Sequence, residues 1–346
     1  MDRSKGCDWA GAGELLGPDG RLDERRIVRR ETLYRGMNGC EVERLYGASG
    51  ECVIRKPPTN DSHAGAEAWV YENVLPALPP IYPRLLACSP SGEPGSSWTL
   101  FEDLGSLDHA FGEEAVLALV PHIARWHSLP TGALRGAPLR GPKPGIERMA
   151  ADLRARLEAG EDHAEEGAPL LANVSPALVR RTVEMTGQPA WAEEMARDAV
   201  FSHGDLHLGN YAMTAAGIKA IDWEHAHLNS RYWDLYHVLD MSHPLFPKPV
   251  DAGIRRRVLE RYVAEAAAYG GPLQLPAFAR GYARFAAVFS LWMLLLIEGD
   301  LAAGGGPWPL ERLRLQREEA RLSFEQNAAA CADEGMTRGQ IREIDG

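Results

Sequence analysis

The sequence predicts an α+β protein of two lobes, in which a five-stranded antiparallel sheet forms the N-terminal lobe and helices form most of the C-terminal lobe. Two observations support this fold class. Short apolar segments separated by glycine-containing turns dominate the sequence up to residue 104. Apolar residues at helical spacing dominate from residue 105 onward. We therefore predict two domains, 1–104 and 105–346, for which a chain of 346 residues is long enough.

Five strands are predicted in the N-terminal lobe, and the turns between them indicate antiparallel pairing. The turns Gly-Met-Asn-Gly and Ala-Ser-Gly join the first three strands. A turn rich in Pro, Gly and Ser at 89–97 joins the last two, and a helix at 63–75 follows two consecutive prolines. The predicted strands are 27–34, 40–46, 51–56, 83–88 and 98–102.

The C-terminal lobe is predicted to be mainly helical. Its longest apolar run, 285–297, is interrupted only by Ser290 and is shorter than the roughly 20 residues that a membrane span needs. We therefore expect a core helix there and no membrane segment. Besides two shorter helices before residue 201, the predicted helices are 113–127, 146–157, 229–239, 252–269, 275–298 and 310–330.

The composition indicates a globular protein of the cytoplasm. Hydrophobic residues make up 45% of the chain and charged residues 25%, which argues against disorder. The N-terminus lacks the apolar run of a signal peptide, and the five cysteines are widely spaced without a C-x-x-C pair. A net charge of −11 argues against a nucleic-acid partner, because a phosphate backbone needs a basic surface, and weakly favours a cationic ligand.

The stretch 201–224 carries the residue types of phosphoryl transfer and reads F-S-H-G-D-L-H-L-G-N-Y-A-M-T-A-A-G-I-K-A-I-D-W-E. Asp205 stands five residues before Asn210, and Asp222 follows twelve residues later after a short apolar run. Phosphoryl transfer needs a carboxylate near the accepting hydroxyl and hard oxygen ligands for Mg²⁺. We therefore predict that Asp205 is the catalytic carboxylate, and that Asn210 and Asp222 bind Mg²⁺ beside the phosphates of ATP or GTP.

A metal hydrolase is the alternative function for the same stretch, because His203, Asp205 and His207 alternate as metal ligands on a strand do. We favour phosphoryl transfer, since a transition-metal site normally recruits further His or Cys ligands at motif spacing, and the neighbouring sequence has no such cluster. His203 is then expected to be a packed residue that supports the loop.

The pattern H-G-D-x-x-x-x-N followed by I-D-W-E resembles the aminoglycoside phosphotransferase and choline kinase family. It keeps the D-x-x-x-x-N spacing of the protein-kinase catalytic loop and an aspartate at the D-F-G position. It departs from protein kinases because H-G-D replaces H-R-D and because D-W-E lacks the glycine of D-F-G. The resemblance implies a protein-kinase-like fold and the phosphorylation of a hydroxyl on a small molecule.

The resemblance also implies roles in nucleotide binding for the N-terminal lobe. The third strand ends in Val-Ile-Arg-Lys where kinases carry V-A-I-K, so Arg55 or Lys56 is expected to bind the phosphates. Counting from the apolar pair favours Arg55, but a shift of one residue would turn the other side chain to the nucleotide. Glu67 would pair with that base, and backbone groups near Glu102 and Leu104 would contact adenine.

Other residues take supporting roles in the resemblance. Gly36 and Gly39 in the first turn would let backbone amides approach the phosphates. Asp234 matches a family aspartate that follows the metal-binding carboxylate, and we expect it to support the catalytic loop or to act as a buried capping group. His127, at the end of a helix, is expected to be structural.

These motifs leave the acceptor open. An aminoglycoside or another antibiotic, choline or another amino alcohol, and a sugar all fit them, and a catalytically silent nucleotide-binding module is the alternative from another class. Asp240, Glu298 and Asp300 follow aromatic or apolar helical stretches, and a cation that leaves water needs such carboxylates. We therefore predict a cationic acceptor that docks beside Asp205.

Overall fold

The computed structural model describes residues 13–36, 39–59, 61–89, 97–162, 171, 173–197, 199–270 and 272–342. It confirms the predicted α+β fold, with a five-stranded antiparallel sheet near the N-terminus and a mainly helical region after it. The five strands are β1 (Arg29–Arg35), β2 (Glu41–Tyr46), β3 (Cys52–Lys56), β4 (Leu85–Cys88) and β5 (Thr99–Glu102). They lie in the order β1-β2-β3-β5-β4 across the sheet.

Alternation along the inner strands places one side of this sheet against an apolar core. Leu45 of β2 and Val53 of β3 are paired across the two strands, and neither is more than 1% exposed. Leu100 of β5 joins the same apolar cluster. The edge strand β1 is exposed along its whole length, so the inner strands carry the packing of the sheet.

Helix α1 (Ala66–Asn73) follows Gly65, whose φ of 80° is in the left-handed region that glycine adopts without strain. The helix is shorter than the predicted range 63–75, because short 3₁₀ turns occupy the residues on both sides. Glu67 is among the buried residues of α1. The helix packs against a 3₁₀ turn at Trp223–His225.

The sheet belongs to a compact unit that also contains segments from later in the chain. Unit 1 comprises the described residues up to Asp108 together with 136–140 and 211–226. The last segment forms a hairpin of β7 (Tyr211–Thr214) and β8 (Gly217–Ala220), and the Ala220 N–H donates to the Ile81 carbonyl at 2.7 Å. A single boundary after residue 104 therefore does not describe this unit, because the hairpin of β7 and β8 is hydrogen-bonded to it although it lies more than 100 residues later in the sequence.

Unit 2 comprises the described residues of 109–135, 141–210 and 227–346, and it is mainly helical. Its two strands, β6 (Ala199–Ser202) and β9 (His227–Ser230), pair antiparallel, with Ser202 opposite His227. Its helices are α2 (Glu113–His127), α3 (Ile146–Asp162), α4 (Pro176–Thr186), α5 (Pro189–Ala196), α6 (Tyr232–Leu239), α7 (Ala252–Ala266), α8 (Leu275–Ala302) and α9 (Leu310–Arg342).

The helix predicted at 229–239 begins three residues later than expected. Asn229 and Ser230 instead belong to β9, where pairing with β6 supplies hydrogen-bond partners for their backbone groups. The Tyr232 N–H donates to Ser230 Oγ at 3.4 Å at the start of α6. Local helical periodicity was therefore overruled by a strand pairing that the sequence pattern did not reveal.

Helix α8 is the one helix of the described residues that is long and apolar enough to cross a membrane by length and composition. About two thirds of its apolar window, 67%, is buried inside the protein. Phe285, Phe289 and Leu291 have no exposed surface. The helix is therefore the core helix that the sequence predicted.

Two predicted turns lie partly outside the described residues. The turn between β1 and β2 contains Met37 and Asn38, and most of the predicted turn at 89–97 falls at 90–96. The flanking Gly39 has a φ of 78° and donates its N–H to the Gly36 carbonyl at 2.9 Å. The predicted contact of this turn with phosphates stays a prediction.

Candidate active site

The H-G-D loop of unit 2 is held by a buried carboxylate on α6. Asp234, with no exposed surface, accepts hydrogen bonds from the backbone N–H groups of His203 at 2.9 Å and Gly204 at 3.2 Å. Its Oδ2 also accepts from the Trp126 indole at 2.8 Å and lies 3.1 Å from His127 Nε2. These groups support the structural roles predicted for Asp234 and His127.

The surroundings of Asp234 favour its ionised form. Burial alone would raise the pKa of this carboxyl group, but the hydrogen bond from His127 and the donors around it lower the pKa well below its usual value. Gly204 has a φ of 89° in the left-handed region, so the turn between the strand and Asp205 is one that glycine adopts readily. The buried Asp234 thus holds the backbone of the loop, while the side chain of Asp205 stays partly exposed, with 18% of it accessible.

Three cationic or potentially cationic groups surround the Asp205 carboxylate. Lys143 Nζ lies 3.1 Å from Oδ1, and His207 Nε2 lies 3.6 Å from Oδ2. His237 Nε2 lies 3.7 Å from Oδ1. Asp205 is therefore the centre of a polar cluster built from three separate segments of unit 2, the loop of Lys143, the loop of Asp205 and His207, and helix α6 with His237.

The hydrogen bonds of the two histidines distinguish their roles. His207 Nδ1 accepts from the Gly209 N–H at 3.0 Å, so the neutral ring carries its hydrogen on Nε2, toward Asp205. His237 Nδ1 lies 2.9 Å from the Trp233 carbonyl, so its hydrogen is on Nδ1 and Nε2 keeps a lone pair. Burial lowers the pKa of His237 to about 3, which keeps it neutral at physiological pH.

Asn210 is attached to the same loop. Its Nδ2 donates to the Asp205 carbonyl at 2.7 Å, and its backbone N–H donates to the His207 carbonyl at 2.8 Å. Because Nδ2 is used in this way, Oδ1 is the side-chain atom suited to a cation. The predicted pairing of Asp205 and Asn210 on one loop is thus explained by a hydrogen bond across the five-residue step.

Unit 1 contains a second cluster, centred on Lys56. Lys56 Nζ lies 2.7 Å from Glu67, 2.6 Å from Asp222 and 3.4 Å from Glu224. Glu67 Oε1 also accepts from the Trp223 N–H at 3.0 Å, which links α1 to the segment after β8. The structure therefore brings together three of the predicted site residues, Lys56, Glu67 and Asp222.

Arg55 points away from this cluster. Its guanidinium pairs with Glu43 on the neighbouring strand β2 at 2.8 Å. Successive side chains of a strand alternate between the two sides of a sheet, so only one of Arg55 and Lys56 can face α1. The residue that faces α1 and pairs with Glu67 is therefore Lys56, the alternative of the sequence analysis, and not Arg55, which was preferred from counting along the strand. Which of the two binds phosphates stays a prediction.

The Lys56 cluster carries more negative than positive charge. Burial would lower the pKa of Lys56, but the neighbouring carboxylates, Asp222 first, raise it well above its usual value. Burial raises the pKa of Glu67. The ligand oxygens of Glu67, Asp222 and Glu224 lie within 4.8 Å of one another, the one such group found among the described residues. One ammonium thus faces three carboxyl groups, and a divalent cation fits this imbalance.

Asp222 is the member of this cluster suited to a ligand. Its side chain is 27% exposed, compared with 7% for Glu67 and 1% for Glu224. Glu224 also accepts from the Thr59 N–H at 3.1 Å and from the Thr59 hydroxyl. Asp222 has a φ of 67°, the one positive φ among the described residues other than glycine, and such strain is common at functional sites.

Glu102 and Leu104 lie at the end of β5 and just beyond it. The Glu102 N–H donates to the Arg84 carbonyl at 3.0 Å, and its carboxylate pairs with the Arg84 side chain at 2.7 Å. That N–H is therefore used within the sheet. Leu104 is half-buried, and the predicted adenine contact of this segment stays a prediction.

The prediction that the Asp240 carboxylate binds a cationic acceptor is wrong. Asp240 is 1% exposed, and its carboxylate accepts from Arg255 at 2.9 and 2.5 Å and from Ser323 at 2.8 Å. It is a core ion pair, which the aromatic sequence around it did not reveal. Glu298 lies 3.8 Å from Arg317, and Asp300 is exposed at the end of α8.

Two residues beside Asp205 were missed by the sequence analysis. Lys143 lies in the motif Gly-Pro-Lys-Pro-Gly, which reads as a connector. His237 lies one helical turn after Asp234 on α6, where any buried histidine looks structural. The prolines and glycines on both sides of Lys143 were the one feature of the sequence that could have indicated a fixed position for this lysine.

The fold and these two clusters define a phosphotransferase of the protein-kinase-like class. Lys56 of the five-stranded antiparallel sheet pairs with Glu67 of helix α1, and a helical unit contains the H-G-D-x-x-x-x-N loop. Residues 41–285 match the phosphotransferase enzyme family, and the chain belongs to that family.

Solved structures of similar fold agree with this classification. Wild-type aminoglycoside 2'-phosphotransferase-IIIa in its GDP complex is 15% identical, with a TM-score of 0.57 over 86% of this chain and 94% of that chain. A macrolide 2'-phosphotransferase from Brachybacterium faecium is 18% identical, with a TM-score of 0.51 over 88% and 93%. Choline kinase from Cryptosporidium parvum Iowa II is 12% identical, with a TM-score of 0.56 over 94% and 95%. At these identities the likeness shows the fold. A comparison with curated proteins finds no match.

Proposed function

We propose that this protein transfers the γ-phosphoryl group of ATP or GTP, in the presence of Mg²⁺, to a hydroxyl group of a small molecule. The observation that carries the proposal is the Lys56 cluster, in which one ammonium contacts Glu67 and Asp222 at 2.7 and 2.6 Å. A lysine paired with a helix glutamate binds nucleotide phosphates in kinases. The role predicted for Arg55 or Lys56 is accordingly assigned to Lys56.

Asp222 and Asn210 each offer an oxygen ligand of the kind that Mg²⁺ prefers. Asp222 supplies a partly exposed carboxylate in a cluster with excess negative charge, and Asn210 supplies an amide oxygen. Mg²⁺ prefers such hard oxygen ligands and, when bound, neutralises charge on the phosphate oxygens. We therefore propose both residues as ligands, with Glu67 holding Lys56 in place.

The catalytic carboxylate in this proposal is Asp205. The backbone N–H groups of the two residues before it, His203 and Gly204, donate to the Asp234 carboxylate and fix the loop, and Asn210 Nδ2 donates to the Asp205 carbonyl. A carboxylate fixed in this way can orient the acceptor hydroxyl and receive its proton as the new O–P bond forms. The His207 ring lies beside this carboxylate, with Nε2 3.6 Å from Oδ2.

The acceptor class is proposed from the family. Similar folds include enzymes named for aminoglycosides, macrolides and choline. An aminoglycoside or other antibiotic is our first candidate, and an amino alcohol such as choline or a sugar is the alternative. With Asp240 in a core ion pair, the support for a cationic acceptor is limited to the net charge of −11 and to Glu298 and Asp300.

The test is a nucleotide-consumption screen with ATP and with GTP against aminoglycosides, macrolides, other antibiotics, sugars and amino alcohols. We expect Mg²⁺-dependent transfer to at least one hydroxyl compound, identified by the mass of its phosphorylated product. In Asp205→Ala, kcat should fall about 10³-fold while nucleotide affinity stays within twofold. Retention of a tenth of the rate would contradict the role of Asp205. Nucleotide binding without any turnover would favour a silent binding module instead.

A further inference from the structure

Lys143 is held in a rigid loop before α3. It lies between Pro142 and Pro144, whose rings fix the backbone φ on both sides. A Cβ on Gly141 would lie 2.6 Å from the His227 ring, so the loop packs on His227 more closely than any other residue type allows. The position of the Lys143 backbone is therefore determined by packing, although the segment is rich in glycine.

The residue that this loop packs on also supports the catalytic loop. The His227 ring meets the Trp233 ring edge to face at a centroid distance of 5.3 Å. The Trp233 indole N–H donates to the Gly204 carbonyl at 2.8 Å. Lys143 and Asp205 are thus carried by two loops that share one buried support.

The ion pair between Lys143 and Asp205 is open on one side. Nζ lies 3.1 Å from Oδ1, and each side chain is 18% exposed. Among the described residues, Asp205 is the one carboxylate within ion-pair distance of Lys143. The lysine therefore depends for its charge compensation on the group that receives a proton in the proposed reaction.

We propose that Lys143 is a further catalytic residue, which contacts the oxygens of the transferring phosphoryl group. This inference rests on the proposed function. The acceptor O–H bond breaks and its proton goes to Asp205, the acceptor oxygen bonds to phosphorus, and the bridging P–O electron pair leaves with the nucleoside diphosphate. Lys143 stays protonated throughout. As Asp205 becomes neutral, the ammonium loses its partner and pairs with the anionic phosphoryl oxygens.

The side chain is suited to this exchange of partners. A lysine ammonium is a compact charge with three donors on a flexible stem, so it can keep one contact while making another. An acceptor oxygen hydrogen-bonded to Asp205 lies about 2.7 Å from that carboxylate, which brings the attacked phosphoryl group into the neighbourhood of Nζ. Fixed positive charge near developing phosphoryl charge is a major source of catalysis.

The experiment compares phosphoryl transfer in wild type, Lys143→Met and Lys143→Arg, with Lys219→Met as the matched lysine control. Lys219 donates to the Pro80 carbonyl at 2.9 Å in unit 1 and has no proposed role. We expect Lys143→Met to lower kcat about 10²-fold, with nucleotide KM within twofold. Lys143→Arg should recover at least a tenth of the wild-type kcat, and Lys219→Met should match wild type.

A second comparison separates contact with the phosphoryl group from neutralisation of Asp205. In Asp205→Asn the lysine has no carboxylate to neutralise. If Lys143 serves only to pair with Asp205, adding Lys143→Met to this variant should leave its residual kcat unchanged. We expect the double variant to lose at least a further tenfold of the residual rate. Melting temperatures confirm folding of each variant.

The outcomes distinguish the two proposals. If wild type neither binds nor consumes nucleotide, the proposed function and this inference fail together. If wild type turns over and Lys143→Met keeps a third or more of kcat, the inference about Lys143 alone is overturned. An equal loss in Lys219→Met, or no further loss in the double variant, would also overturn it.

Discussion

Lys56 Nζ lies 2.6 Å from Asp222 Oδ1, although the two residues are 166 positions apart in the sequence. The contact joins the end of β3 to the turn after β8 within unit 1, and Glu67 on α1 completes it. Burial of a charge is unfavourable unless it is paired. The three segments therefore stabilise one another through one buried ammonium and the carboxylates around it.

This pairing predicts different effects for the two neighbouring basic residues of β3. Lys56→Met should raise the nucleotide Kd at least tenfold, which corresponds to about 1.4 kcal/mol of binding energy. Arg55→Met removes a charge of the same sign one residue away, but it disturbs only the pair with Glu43. Its nucleotide Kd should stay within twofold of wild type.

Isothermal titration of each variant with nucleotide and Mg²⁺ checks this prediction. Melting temperatures establish that both variants fold. An equal increase in the nucleotide Kd of the two variants would contradict the prediction that only the Lys56 side of β3 contributes to nucleotide binding. A larger increase in Arg55→Met would favour Arg55 as the phosphate-binding residue.

The exposure of Asp222 predicts that it controls the magnesium dependence. In Asp222→Asn the cluster loses one negative charge and a strong oxygen ligand, so nucleotide affinity should rise much less with Mg²⁺ than in wild type. Nucleotide titrations over a series of Mg²⁺ concentrations measure this. Asp300→Asn, an exposed residue at the end of α8, is the control and should show the wild-type dependence. An unchanged Mg²⁺ dependence in Asp222→Asn would remove Asp222 from the proposed metal site.

The sequence predicted best those features that depend on local pattern. The five strands follow from short alternating runs and glycine turns, and the step from Asp205 to Asn210 is explained by one hydrogen bond within a single loop. The sequence could not decide between Arg55 and Lys56, because alternation shows that the two side chains point to opposite faces of the sheet, and only the packing of α1 determines which face is buried.

Long-range contacts set the limit of the sequence analysis. Lys143 reaches Asp205 across 62 positions, and only the packing of Gly141 on His227 explains why that lysine is placed there. Asp240 has the same sequence context as a ligand-binding carboxylate, yet Arg255 on α7 turns it into a core ion pair. These contacts depend on which segments pack together in the fold, and the residues on either side of each position in the sequence do not reveal that packing.

Asp234 is predicted to affect both stability and turnover. Asp234 Oδ1 accepts from Gly204, and Oδ2 accepts from His203 and Trp126. In Asp234→Asn an NH₂ group replaces one of these oxygens, so at least one buried donor loses its partner. Each unsatisfied buried group costs about 1–3 kcal/mol, and we expect the free energy of unfolding to fall by about 3 kcal/mol. Because the displaced backbone carries Asp205, kcat should fall as well.

Asp152→Asn is the matched control for this variant. Asp152 also accepts a hydrogen bond from an indole N–H, that of Trp292 at 2.9 Å, but it lies on α3 and has no contact with the H-G-D loop among the described residues. Urea unfolding should show a loss of about 1 kcal/mol, with unchanged kcat. If both variants lose turnover equally, loss of stability and not loop position explains the effect.

The buried histidines of unit 2 predict that the protein is less stable in mild acid. Burial lowers the pKa of His237 and of His243 to about 3 from an ordinary value of 6.5. Above pH 6.5 both rings are neutral whether the chain is folded or not. Below it, the unfolded chain binds protons that the folded protein does not, so stability falls as the pH drops from 6.5 toward 3. Each ring contributes about 2 kcal/mol of loss between pH 6.5 and pH 5.

Thermal or urea unfolding at several pH values between 7 and 5 tests this expectation. The charges that face His237 are those of Lys143, Asp205 and Asp234, and of these the lysine opposes protonation of the ring. His237→Gln removes the titrating group while keeping a polar side chain, so its stability should fall less steeply with decreasing pH than that of wild type. A slope identical to wild type would show that His237 takes up its proton in the folded protein as readily as in the unfolded chain, contrary to its complete burial beside an ammonium.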